Sequence, residues 1–161
     1  MAETKETLTQ PIKDRLRAYT SLLREIECQK ERLARHVETM GAPSSPNLTG
    51  MPSAPGYTGD KLLREVAKKI DLEEQIAQLE AEEEAERTAI EKLIRKVKNP
   101  EERAVLRMRY LDREDWPDIA YALFHKAKDW RGNYRNYQRK IFRIHGAALV
   151  SLAEASDGAG I

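Results

Sequence analysis

The chain has 161 residues, of which 40% are hydrophobic, 34% charged and 6% aromatic, with a formal net charge of +1. That balance excludes a thick aromatic core under a large sheet and points to long, solvated helices sharing narrow apolar seams. No apolar run nears the ~18–20 residues of a membrane span, and a near-neutral chain can meet nucleic acid only through local charge asymmetry. With Cys28 as its one cysteine the chain forms no intrachain disulfide, and the segment MAETKETLTQ lacks the layout of a secretory signal, so a cytoplasmic setting is expected. Cys28, His36, His125 and His145 have no metal-ligand spacing, and no glycine-rich phosphate loop or nucleophile motif occurs. The composition therefore predicts a protein without cofactor or metal, and not an enzyme.

Over residues 8–40 the apolar positions follow a heptad rule. Ile12, Leu16, Tyr19, Leu23, Ile26, Leu33, Val37 and Met40 alternate at spacings of four and three, with Lys30 the polar occupant of the seam. Such a stripe favours a left-handed coiled coil, in which a lone polar residue fixes register or partner choice. Pro11 suits a first turn, which predicts a start near Gln10. Cys28 lies off the seam. Residues 41–59 carry Pro43, Pro46, Pro52 and Pro55 with four glycines and cannot continue the helix. A second helix follows, with Thr58 or Asp60 as its expected cap. Its stripe of Leu62, Val66 and Ile70 re-phases near Leu72 and runs on through Ile76, Leu79, Ile90, Leu93 and Val97. The run Glu80, Glu82, Glu83, Glu84 and Glu86 reads as a solvated face. Residues 8–98 thus predict an antiparallel helical hairpin, a surface suited to homodimer formation or to docking another protein.

Asn99-Pro100-Glu101-Glu102 is a helix start: a capping Asn, Pro at the first position, acids in the first turn. Its helix holds Val105, Leu106, Met108, Tyr110 and Leu111. A second start, Asp115-Trp116-Pro117-Asp118, resembles a capping box and leads into Ile119, Ala120, Tyr121, Leu123 and Phe124. A polar stretch, 125–133, precedes a last helix over 133–153, and 155–161 reads as a flexible tail. The predicted fold is all-α: a long antiparallel hairpin, then a three-helix module over 99–154.

Charge concentrates in that module. Over residues 119–153, Lys126, Lys128, Arg131, Arg135, Arg139, Lys140 and Arg143 face one acid, Asp129, a local charge of +6. With Arg139 at 0° on a helical wheel, Arg135 and Arg143 lie within about 40°, Gly146 lies near −20°, and Tyr137, Ile141, Ile144, Ala148 and Leu152 fall at about 140–220°. One face is built to pack and the other to meet phosphates. Asn136, Gln138 and Arg139 are also side-chain types that pair with base edges in a major groove. Trp116, three residues before Ile119, reads as a core staple. Trp130 either touches sugar-phosphate or folds back on the helices. His145 borders the packing face as a half-buried histidine.

The segments RMRYLDREDWPDIAYAL and RKIFRIHGAALVSL carry a family resemblance. They resemble the C-terminal module of phage late transcriptional regulators of the ArpU and RinA type, itself similar to region four of sigma factors. The matching residues are Arg109-Tyr110-Leu111, Trp116, Ile119-Ala120, Arg143, His145-Gly146 and Ala148-Leu149. Upstream, NLTGMPSAPGYTGDKLLREVAKKIDLEEQI resembles the family's Met-Pro, Gly-Asp loop and following helix, so the likeness runs over roughly residues 10–153. It implies a helix-turn-helix on double-stranded DNA, acting with RNA polymerase in the cytoplasm of a bacterial host. One departure is the stretch 125–133, where a three- or four-residue turn would be usual. Together these readings predict Lys128, Arg131, Arg135 and Lys140 on phosphates, and Asn136, Gln138, Arg139 and Arg143 toward bases. Two rivals remain: a small terminase subunit or packaging factor, expected to form a ring, and a coiled-coil scaffold without DNA affinity.

Overall fold

A computed structural model describes residues 2–42 and 57–158. Those residues are all-α, with no strand: α1 (Ala2–Thr39), α2 (Tyr57–Lys96), α3 (Pro100–Leu106) running into a π-helical turn (Arg107–Leu111), α4 (Trp116–Phe124) and α5 (Tyr134–Asp157). Helices α1 and α2 pack antiparallel, as their cross-helix partners show: Arg15 with Glu86, Lys30 with Glu80, and His36 with the carbonyl of Glu65. Most of the connector, residues 43–56 with its four prolines, lies outside the described residues.

Three helix ends differ from expectation. α1 begins at Ala2, so Pro11 sits inside the helix rather than in its first turn. A proline there removes one hydrogen bond; burial of Thr9 and Ile12 on either side, with Thr9 Oγ1 donating to the Lys5 carbonyl at 3.0 Å, holds the turn. α2 runs from Tyr57, so positions 58 and 60 lie inside the helix rather than at its cap position. α5 runs to Asp157, so residues 155–157 are helical rather than tail, and 159–161 lie outside the described residues. Where α1 ends, Gly41 takes φ +77°, the left-handed conformation that a C-terminal glycine adopts without strain.

The chain forms two compact units, Met1–Thr20 with Ala85–Ile161, and Ser21–Glu84. The division falls inside α1 and α2 rather than at residue 98. In the Ser21–Glu84 unit Ile26, Leu72 and Ile76 are buried, and Lys30, the polar seam residue, pairs its Nζ with Glu80 Oε1. The stripe expected to open α2 does not pack: Leu62, Leu63, Val66 and Ile70 are exposed, Leu63 at 69%. With Leu72 at 0°, Ile76, Ile90, Leu93, Ile94 and Val97 fall within about 60°, whereas Val66, Ile70 and Leu63 lie about 120–180° away. Glu65, at about 20°, holds the packing position instead.

In the other unit, Ile12, Leu16 and Tyr19 from α1 and Ile90, Leu93, Ile94 and Val97 from α2 are buried together with the C-terminal helices' own core. Arg15 clamps Glu86 bidentately, Nε to Oε1 at 2.6 Å and Nη2 to Oε2 at 3.2 Å. Asn99 caps α3 as its sequence predicts, accepting from the Glu101 N–H at 2.9 Å. Asp115 occupies the cap position of α4 but its side chain makes no capping bond, so the expected capping box does not form. Pro117 explains part of this, because it removes one of the two N–H groups an N-cap side chain can reach. Among the C-terminal helices a core cluster comprises Val105, Ile119, Ala120, Phe124 and Ile141, rimmed by Met108, Trp116, Leu123, Trp130, Tyr137 and Ile144.

Candidate nucleic-acid interface

Helix α5 divides lengthwise. Ile141, Ala148, Leu149, Leu152 and Ala153 are buried, and Tyr137 and Ile144 lie half-buried against the core. The other side bears Arg135, Asn136, Arg139, Lys140 and Arg143, all exposed. Among the described residues, Lys126, Lys128, Arg131, Arg135, Arg139 and Arg143 make no ion pair, whereas bases of α1 and α2 such as Arg15, Lys30 and Arg95 are paired to acids. A row of unneutralised guanidiniums on one side of a helix attracts anions, and planar donors of this kind suit phosphate oxygens and guanine edges.

The sequence-predicted residues divide in quality. Arg135, Arg139 and Arg143 share the central face. Asn136 is exposed beside them, its Nδ2 3.4 Å from Asn133 Oδ1. Gln138 is half-buried at the flank, its amide donating to the Tyr134 hydroxyl at 3.1 Å. Lys140 lies over the Phe124 ring, 4.7 Å from its centroid. Lys128 and Arg131 sit outside α5, in the connection to α4. Sequence reasoning missed Phe142, which is 51% exposed beside the arginine row with its ring edge-on to Trp116 at 5.2 Å. Its only signal is an aromatic residue off the packing stripe.

The 125–133 connection is folded back rather than loose. Consecutive turns close it, with Ala127 N–H donating to Phe124 O, Trp130 N–H to Ala127 O, and Gly132 and Asn133 N–H to Asp129 O. Trp130 settles on the helices, its ring against those of Tyr121, Tyr134 and Tyr137. The Asp129 carboxylate accepts from the Tyr137 hydroxyl and from Asn133 Nδ2, and these bonds hold its pKa below the usual carboxylate range. So pinned, the connection presents Lys126, Lys128 and Arg131 exposed to solvent.

A third group fixes α5 to the π-helical turn. Arg109 donates to the Glu114 carbonyl at 3.1 Å and lays its guanidinium 4.6 Å from the Trp116 ring centroid. Tyr110 OH and His145 Nε2 share a hydrogen bond of 2.9 Å, and Trp116 meets the imidazole edge-on at 4.8 Å. Burial, then the charges of Arg109 and Lys13, hold the His145 pKa down to about 4. Arg109, Tyr110, Trp116 and His145 therefore position the helix.

No family model, no curated protein and no solved structure matches the chain. Among the described residues no helix is long and apolar enough to cross a membrane, and no three potential metal ligands cluster.

Proposed function

We propose that the chain is a sequence-specific DNA-binding protein, a phage transcription regulator acting with the host RNA polymerase. The observation that carries this reading is the unpaired arginine row of α5, exposed on a helix whose opposite side is buried. In this reading α5 enters the major groove, Arg139 and Arg143 read base edges, and Arg135, Lys140, Lys128 and Arg131 hold the backbone. Phe142 adds an apolar contact of the kind a thymine methyl offers. The family likeness of the 107–123 and 139–152 segments to sigma-region-four regulators supports the regulatory role, and the hairpin supplies the docking or self-association surface.

Replacing Arg139 and Arg143 together by alanine tests the proposal. Both are exposed and unpaired, so helicity and melting should hold, while each lost base-reading pair should weaken specific binding by ~1–3 kcal/mol. A double variant that selects and shifts its target DNA like the parent in a mobility assay would refute the assignment. Mass in solution gives a second test: a closed ring of many copies would favour a packaging factor over a regulator.

A further inference from the structure

The arginine row of α5 stops at Arg143. On the same side of the helix, the next positions are Gly146 and Val150, which carry no charge. Gly146 is unexplained by packing: its backbone is ordinary helix, and a Cβ built there meets nothing within 4 Å. A mid-helix glycine in open space weakens the helix without serving the fold. What it leaves is a shallow groove of about 370 Å³ between α5 and the first turns of α1, both in one compact unit. Gly146, Leu149 and Val150 form one wall; Lys5, Thr9 and Lys13, spaced by four on one face of α1, form the other with Glu6. Among the described residues neither Lys5 nor Lys13 has an ion-pair partner. The Thr9 hydroxyl turns its one hydrogen to the Lys5 carbonyl at 3.0 Å, with the Glu6 carbonyl 3.3 Å away, and Lys5 and Lys13 are the basic residues that line the groove.

We propose that this groove seats a stretch of DNA backbone, with Lys5 and Lys13 taking phosphates just beyond the reach of the arginine row and Gly146 letting the strand approach the helix closely. The inference rests on the DNA-binding reading, and it extends the interface from α5 onto a helix that the sequence assigns to the hairpin alone. Phosphate contacts carry affinity without sequence preference, and each one neutralised contributes about −0.9 to the slope of log affinity against log salt.

The test is fluorescence anisotropy with a labelled mixed-sequence duplex, titrated with salt, on the full chain. Lys5→Ala with Lys13→Ala should weaken binding on the order of tenfold or more and flatten the salt slope by about two units. Glu6→Gln should tighten binding, because it removes the groove's one acid. Gly146→Gln should weaken binding while melting stays level or rises, since the site has room and glycine is the poorer helix former. Arg139→Ala with Arg143→Ala serves as the separate arm. If that variant weakens binding while the lysine variant keeps the parent's slope, the groove proposal falls and the DNA reading stands. If the parent chain binds no duplex at low salt, both fall.

Discussion

His145 faces a phenol, an indole edge and the charges of Arg109 and Lys13, with burial the larger influence, and its folded pKa of about 4 lies below the ordinary histidine value of 6.5. For a base this sign means that the unfolded chain accepts a proton the folded chain refuses. The contribution to stability is therefore complete above pH 6.5 and is lost as pH falls from 6.5 toward 4. His145→Gln keeps a polar group near the Tyr110 hydroxyl but removes the titration. Its melting temperature should fall less steeply over that window than the parent's, as parallel thermal melts at several pH values would show. Equal slopes would mean that His145 titrates alike in both states. That this residue borders the packing face was legible from helical spacing. Its partners were not, because Tyr110 is 35 residues away and Arg109 reaches it only through the π-helical turn.

At the scale of elements, α5 was readable and the start of α2 was not, for one physical reason. A helical wheel separates two faces only where one is apolar and the other charged, as in α5. The first turns of α2 carry aliphatic residues on one side and the mixed pair Glu65 and Lys69 on the packing side, so the louder stripe misleads. Register inherited from Leu72, Ile76 and Ile90 decides the packing, and Leu62, Leu63, Val66 and Ile70 are left exposed. The 125–133 connection shows the opposite limit: nothing local in its sequence says that Trp130 will stack on Tyr134 and Tyr137. This geometry separates two variants. Trp130→Ala should remove half-buried aromatic packing and destabilise the fold by about 1–3 kcal/mol in chemical denaturation. Alanine at Lys126, Lys128 and Arg131 should leave stability intact, weaken target and random DNA alike, and flatten the salt slope by roughly two to three units. A slope unchanged in the triple variant would place these charges away from the backbone.

Across the whole molecule the near-neutral total conceals a partition. The unit Met1–Thr20 with Ala85–Ile161 holds 20 basic and 14 acidic residues, a net charge of +6, whereas Ser21–Glu84 holds 8 and 13, a net charge of −5. The first unit contains the arginine row, the 125–133 connection and the Gly146 groove. Its core draws on Ile12, Leu16, Tyr19, Ile90, Ile94 and Val97, the six most deeply buried of its described side chains that precede the three-helix module in sequence. Burying each such side chain stabilises by ~1.5–3 kcal/mol, and a domain's net stability is only ~5–15 kcal/mol. Residues 99–161 alone lose all six and should not fold cooperatively. A chain that joins residue 20 to residue 85 through a short turn keeps all six, together with the Arg15–Glu86 clamp beside the new junction. It should melt in one transition and bind mixed-sequence duplex at low salt more tightly than the full chain, because a net charge of −5 no longer repels phosphate. Circular dichroism melts of the two shortened chains, followed by anisotropy on whichever folds, decide the matter. Cooperative folding of 99–161 by itself would put the boundary back at residue 98 and reduce the N-terminal turns of α1 to part of the hairpin.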